Sequence, residues 1–223
     1  VEPLTVLHQW QGICYYKKKI TITPEEAKKH IWIEFEGAMH LADVWINGKH
    51  VMQHAGGYTP FVVDATGLLK TGKENELLVR LDNRNNSLIP PGKPLETLDF
   101  CYYGGIYRNV HLIAKADVHI THPILDGHPA GAGIFITYPK VSQELSVVDA
   151  KTEIKNTSDK EKVVELRHTL YTWKKQKGKD KKVQNISETL TLHPGVTIEN
   201  NQRMEEKHPA LWSPDEPNLY VLS

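Results

Sequence analysis

The stretch Ala42-Asp43-Val44-Trp45-Ile46-Asn47-Gly48-Lys49-His50-Val51 consists of two short runs joined by an Asn-Gly pair. Asn-Gly supplies the two positive φ angles of a type I′ turn, whose twist matches that of two antiparallel strands. A tight β-hairpin is therefore predicted at this point, and the flanking segments continue in the same vein. Upstream, Tyr16, Lys18, Ile20 and Ile22 alternate with Tyr15, Lys17, Lys19 and Thr21, and Ile31, Ile33 and Phe35 alternate with Trp32, Glu34 and Glu36. Downstream, Gly56-Gly57 interrupts the chain before Phe61-Val62-Val63, and Gly72 precedes a strand over 77–81. A period of two is the mark of half-buried strands. Helical periodicity is nearly absent, so the fold class is all-β.

From Asp82 to Phe100 the alternation stops in favour of Asn83, Asn85, Asn86, Pro90-Pro91-Gly92 and Pro94. A loop this long inside a compact domain more often carries function than not. Strands resume at 109–113 and 118–121. The Pro- and Gly-rich passage from His122-Pro123 to Gly133 is read as an interdomain joint. Beyond it, strands are predicted at 134–138, 146–154, 163–173, 183–192 and 219–222, with turns at Asn156-Thr157-Ser158 and Lys177-Gly178-Lys179-Asp180. Their spacing suits an immunoglobulin-like sandwich. The predicted domains are thus 1–121 and 122–223.

A chain of 223 residues fits one large or two small domains at roughly 100–200 residues each. Lys+Arg and Asp+Glu both number 27, giving a formal net charge of zero. No global field then draws the chain to nucleic acid or to an anionic membrane. No apolar run approaches the ~20 residues of a membrane-spanning helix. The basic run Lys174 to Lys182 is read as a solvated hairpin tip, because no aromatic side chain interleaves it. Cys14 and Cys101 are too few for a disulfide scaffold and lack metal-ligand spacing, so both are expected to be partly buried thiols. Among the 12 His, His50 and His54 straddle a strand end, and His119 and His122 point to opposite faces of an extended segment; neither pair makes a metal site.

No Gly-x-Ser-x-Gly elbow and no phosphate-cradling Gly loop is present. Glu34 and Glu36 share a strand face and read as solvated. What remains is the segment from Asp82 to Arg108, where Asn side chains precede Asp99-Phe100 and Tyr102-Tyr103-Gly104-Gly105. Neutral sugars present hydroxyl edges and C–H faces, which amide, carboxylate and aromatic groups can match. The composition of the loop fits a carbohydrate. A structural role, with Asp99 capping a turn and the two tyrosines packing, uses the same residues.

Several segments occur in a fixed order: Trp45-Ile-Asn-Gly48, His54-Ala-Gly-Gly-Tyr-Thr-Pro-Phe61, Asp64-Ala-Thr66, Gly72-Lys-Glu-Asn-Glu-Leu-Leu-Val-Arg80, Ile89-Pro-Pro-Gly92 and Asp99-Phe-Cys-Tyr-Tyr-Gly-Gly-Ile-Tyr-Arg108. Together they resemble the N-terminal sugar-binding domain of the family 2 glycoside hydrolases, the group of β-galactosidases, β-glucuronidases and β-mannosidases. The second half, ending in Pro209-Ala-Leu-Trp-Ser-Pro214 and Pro217-Asn-Leu-Tyr220, resembles that family's immunoglobulin-like domain.

The resemblance implies a jelly-roll sandwich followed by an immunoglobulin-like sandwich, with a TIM barrel of the same polypeptide as the catalytic partner. The family's acid/base Gly-Asn-Glu does not occur, and Asn75-Glu76 matches a strand-leading turn instead. Retaining hydrolysis needs two carboxyl groups ~5–5.5 Å apart, so this chain alone is expected to be inactive. By the same resemblance Asp99 projects toward the barrel's active site as a substrate contact, Asn86 is a second contact, and Arg108 is a buried structural guanidinium. The family's usual first strand is not visible, and its immunoglobulin-like domain continues past Leu219-Tyr-Val221, which marks the chain as a fragment. The implied activity is β-galactoside hydrolysis in the joined protein, with β-glucuronidase or a stand-alone carbohydrate-binding module as alternatives. A carbohydrate is the expected partner, without cofactor, metal, nucleic acid or membrane. A homo-oligomer and a periplasmic or extracellular location complete the expectations.

Overall fold

The computed structural model describes residues 10–98, 100, 103–128, 131–174 and 178–223. The chain divides into two units, Val1–Ala116 and Asp117–Ser223.

In the first unit, β1 (Ile13–Ile20), β7 (Asn75–Asp82), β4 (Leu41–Ile46) and β5 (Lys49–Ala55) form one antiparallel sheet in the order β1-β7-β4-β5. A second sheet has β2 (His30–Phe35) between β6 (Phe61–Asp64) and β9 (Val110–Lys115). The short strands β3 (Ala38–Met39) and β8 (Gly105–Ile106) pair with each other. Ala42, Val44, Ile46, Leu77, Val79 and Leu81 from the first sheet pack in one cluster with Ile31, Ile33, Phe35, Phe61 and Val63 from the second. This is a β-sandwich. Phe35 is fully buried and stacks on Phe61 with ring centroids 4.6 Å apart. Burial of a side chain of this size contributes about 2–3 kcal/mol, and an aromatic pair adds about 1 kcal/mol.

The hairpin expected at Asn47-Gly48 is present, with φ of 50° and 80° at the two turn residues. It is tied to the sandwich by its own side chain. Asn47 Oδ1 accepts from the Glu76 amide at 3.1 Å, and its Nδ2 donates to Asn75 Oδ1 at 2.9 Å. Asn75, fully buried, donates in turn to the carbonyls of Ile20, Lys70 and Lys73. The Asn75-Glu76 pair is thus a structural knot at the head of β7.

The second unit begins with β10 (Val118–Ile120), which pairs with β12 (Leu145–Asn156). The boundary therefore falls before this strand, whereas the sequence placed 118–121 in the first domain. Ladder pairing of Val118 with Asn156 and burial of Val118 and Ile120 against Ile154 and Ile198 bind the segment to the second core. β11 (Ile134–Lys140) and β15 (Thr197–Lys207) also pair with β12. The opposing sheet has β13 (Lys162–Lys174) between β14 (Gly178–Leu192) and β16 (Leu219–Leu222). Of the basic run, residues 175–177 lie outside the described residues; Lys174 ends β13 and is the register partner of Gly178, which begins β14.

Besides the two-residue strands β3 and β8, the alternation did not reveal β15. Its less exposed positions are Ile198, Asn200, Gln202, Met204 and Glu206, so polar side chains stand where a core strand would show aliphatic ones. Among the described residues no helix is long and apolar enough to cross a membrane.

Candidate functional site

β7 alternates buried Leu77, Val79 and Leu81 with partly exposed Leu78 and Arg80, then ends on Asp82, which is buried. Burying a carboxylate is costly unless charged donors meet it. Here they do. Arg84 Nε and Nη2 grip the two Asp82 oxygens at 2.9 and 2.6 Å, and Arg80 Nη2 reaches Oδ2 at 3.3 Å. Arg80 Nη1 also donates to Asp43 Oδ2 at 3.1 Å, and Asp43 Oδ1 meets Gln53 Nε2 at 2.9 Å and His50 Nε2 at 3.1 Å. The chain of ions Asp43, Arg80, Asp82, Arg84 sums to zero charge. The Arg84 guanidinium holds the Asp82 carboxyl below the usual carboxylate range against the opposing effect of burial. At Asp43 burial pushes upward, and the bonds from Gln53, His50 and Arg80 outweigh it to leave that carboxyl low as well.

Beside this chain lies a polar cleft of about 270 Å³ lined by His40, Leu41, Asp82, Arg84, Asn85 and Asn86. Its wall, residues 83–86, is pinned to the segment that leads into β1. Asn83 is buried; its Oδ1 accepts from the Gly12 amide at 2.7 Å, its Nδ2 donates to the Trp10 carbonyl at 3.0 Å, and its own amide donates to the Gly12 carbonyl. Gly104 passes so close to Asn83 that a Cβ there would collide with Nδ2. Gln11 Nε2 donates to Asn85 Oδ1 at 2.9 Å. Asn86 Oδ1 accepts from the Leu88 amide at 2.9 Å in an Asx turn, so the group Asn86 can offer a ligand is its NH₂. Ile89, buried, anchors the far side of the loop.

Of the two substrate contacts expected from sequence, Asn86 lines the cleft. Asp99 lies outside the described residues, as do Cys101 and Tyr102. Arg108 departs from expectation. Its side chain is exposed and its guanidinium lies over the Tyr107 ring at 5.6 Å. Tyr107 spends its hydroxyl on the Gly57 carbonyl at 2.6 Å. The flat face of that ring is what Arg108 covers, so the guanidinium is stacked rather than sunk among carbonyls. Cys14 is half-buried. His50 meets Asp43, and His54 stacks on Phe61 at 4.5 Å and meets Thr59 Oγ1 at 3.2 Å. Among the described residues no group of three His, Cys, Asp or Glu side chains is arranged to hold a metal ion.

Asp82, Arg84 and His40 were not singled out from sequence. The pair Asp82-x-Arg84 at the end of an alternating strand was the available signal for the first two. His40 had none, since its polar neighbours in the cleft come from more than forty positions downstream.

A polar, charge-balanced cleft rimmed by amides thus lies at the end of β7. Comparison with known proteins identifies the family. Residues 4–116 match the model described as glycosyl hydrolases family 2, sugar binding domain, and residues 132–223 match that of glycosyl hydrolases family 2. The chain belongs to glycosyl hydrolase family 2. It is 31% identical over 218 residues to a β-glucuronidase of Bacteroides fragilis, covering 96% of this chain and 29% of that protein. It is 33% identical over 218 residues to a β-galactosidase of Thermoanaerobacter pseudethanolicus, covering 96% and 26%. The crystal structure of a Bacteroides uniformis β-glucuronidase superposes with a TM-score of 0.79 at 31% identity, over 96% of this chain and 24% of that one. The chain spans about a quarter of the length of these relatives.

Proposed function

We propose that this chain is the N-terminal, non-catalytic part of a retaining glycoside hydrolase that releases terminal β-galactose, and that the cleft at the end of β7 forms the rim of its sugar subsite. A barrel of the same polypeptide supplies the two catalytic carboxyl groups, and the protein works in the periplasm or outside the cell. The observation that carries the proposal is the cleft's own chemistry. Asn85 and Asn86 line it as neutral amides, and the two carboxylates and two guanidiniums beside it cancel. Such a surface suits hydroxyl groups better than an ionised carboxylate, since each hydroxyl both donates and accepts. Asp99, carried over by the resemblance, is the further contact.

A β-glucuronide is the second reading, favoured by Arg84. Its guanidinium lines the same cleft, and a uronate carboxylate is the natural bidentate partner of such a group. The test is hydrolysis of p-nitrophenyl β-galactoside and β-glucuronide by the longer protein that carries this chain. The galactoside is expected to be preferred at least tenfold in kcat/KM. Asn86→Ala is expected to raise KM about tenfold, the worth of one hydrogen bond of about 1.4 kcal/mol. A preference for the glucuronide that vanishes in Arg84→Ala would establish the second reading. Micromolar binding of galactose by the 223-residue chain alone would instead make it a stand-alone binding module.

A further inference from the structure

His40 is almost wholly buried, yet it stands in the wall of a polar cleft rather than in the apolar core. Its main chain ties two strand ends together: the amide donates to the Asp82 carbonyl at 3.3 Å, and the carbonyl accepts from the Gly56 amide at 2.8 Å. Its imidazole donates to a third element, the backbone carbonyl of Arg84. That carbonyl belongs to the loop wall, and the Arg84 side chain is already locked on Asp82. Arg84 is therefore held at both its main chain and its guanidinium, one residue before Asn85 and two before Asn86.

We propose that His40 is a positioning residue for the sugar subsite: its ring, bonded to the Arg84 carbonyl, sets the place at which Asn85 and Asn86 line the cleft. The inference rests on the reading of that cleft as a sugar contact. Asp82 holds the Arg84 amide and guanidinium, Asn83 pins the loop from the side of Trp10 and Gly12, and Gln11 reaches Asn85 from that same side; what His40 adds is the bond to the Arg84 carbonyl. A buried apolar side chain at position 40 would leave the Arg84 carbonyl without its donor, and an unsatisfied carbonyl turns toward water. The wall would shift with it.

The experiment uses the longer protein, with p-nitrophenyl β-galactoside as the probe and amide hydrogen exchange as a second readout. His40→Leu keeps the bulk and removes the donor. It is expected to speed exchange in residues 84–88 at least tenfold, leave the β4–β7 ladder unchanged, and raise KM about tenfold with kcat within twofold. His40→Gln and His40→Asn place a donor at the two reaches available to an imidazole, and one of them is expected to restore both readouts. Unaltered exchange in 84–88 would overturn the proposal. Faster exchange with an unchanged KM would leave the loop held by His40 but remove the cleft from the sugar site, which is the failure of the underlying reading and not of the positioning. Should His40→Leu fail to fold, Gln and Asn carry the test: equal behaviour of the two overturns it, and rescue by one alone supports it.

Discussion

Each unit contains a histidine that is almost wholly buried and hydrogen-bonded through its ring, and the two settings could hardly differ more. His40 lies in the wall of an open polar cleft, among ions that extend to the surface. His168 lies inside the second sandwich, between one apolar cluster built on Val148, Ala150, Leu170 and Met204 and another built on Ile154, Leu166, Leu190 and Leu192. Its Nε2 meets Thr152 Oγ1 at 2.9 Å and its Nδ1 meets Gln202 Oε1 at 2.9 Å, while Gln202 Nε2 donates to the Leu166 carbonyl. Since Gln202 Oε1 can only accept, Nδ1 carries the proton, and the Thr152 hydroxyl donates to Nε2. The network spans β12, β13 and β15 and is closed on itself. A sealed network fixes which strands face each other; an open one holds groups where a ligand can reach them.

The sharpest way to break the contrast is to empty the sealed site. His168→Ala deletes a large buried ring and strands the Thr152 and Gln202 side chains, which together cost about 3 kcal/mol or more. Urea unfolding should show that loss, and hydrogen exchange should confine it to β12, β13 and β15. An unchanged midpoint would mean the network contributes nothing. Asn83→Ala is the matching cut in the first unit. It leaves the Gly12 amide and the Trp10 carbonyl unpaired, for about 2 kcal/mol. Unlike the first variant, it is expected to impair glycoside turnover in the longer protein as well, because the wall of the cleft goes with it.

Acidification should weaken both units, and one variant can isolate the part due to the sealed histidine. Burial holds the His168 imidazole below its ordinary value of about 6.5. As pH falls through that value the unfolded chain takes up the proton first. The stability this residue contributes is therefore complete above pH 6.5 and is lost as pH drops toward the depressed folded value, at no more than about 1.4 kcal/mol per pH unit for one proton. His40 and His54 in the first unit are shifted the same way by burial, so the wild-type slope contains all three. The difference between wild type and His168→Met isolates one. Unfolding midpoints at pH 7.5, 6.5 and 5.5 should converge as the pH falls, and parallel curves would refute the assignment.

What could be read from the amino acids follows the same division. Apolar alternation exposed the strands whose inner faces are aliphatic: β2 through Ile31, Ile33 and Phe35, β7 through Leu77, Val79 and Leu81. The Asn47-Gly48 turn was legible because its chemistry is local. β15 escaped because Asn200 and Gln202 occupy inward positions, and their purpose, meeting Glu188 from β14 and His168 from β13, is visible only once the sheets are folded. In the cleft, Asn86 could be nominated because its loop lies beside Ile89-Pro-Pro-Gly92, one of the segments that carry the family resemblance. His40, Asp82 and Arg84 could not, since each matters through a partner set by the pairing of Leu41 with Asp82. The boundary at 116 rather than 121 has the same origin: a three-residue strand belongs to whichever sheet completes its ladder.

The smallest effect expected concerns two guanidinium–carboxylate pairs of nearly identical geometry. Arg203 Nε and Nη2 meet the Asp149 oxygens at 2.7 and 2.8 Å across β12 and β15, and Arg84 holds Asp82 with the same two atoms. Bidentate geometry is no guide to worth when water can replace either partner. The two guanidiniums are equally exposed, at 61% and 60%, so each pair competes with hydration and with salt, and side-chain entropy opposes it. The difference is that Asp82 is shared with Arg80 and lines the cleft together with Arg84. Arg203→Ala should leave the unfolding midpoint and every kinetic constant of the longer protein where they are. Arg84→Ala removes one of the two cations from the buried Asp82 carboxylate and empties part of the cleft wall. Its midpoint should move more than that of Arg203→Ala, and KM for the aryl galactoside should rise severalfold. If the two variants behave alike, the cleft-lining position of Arg84 confers nothing that a surface ion pair lacks, and the charge-balanced wall described for the first unit is only a set of solvated ions.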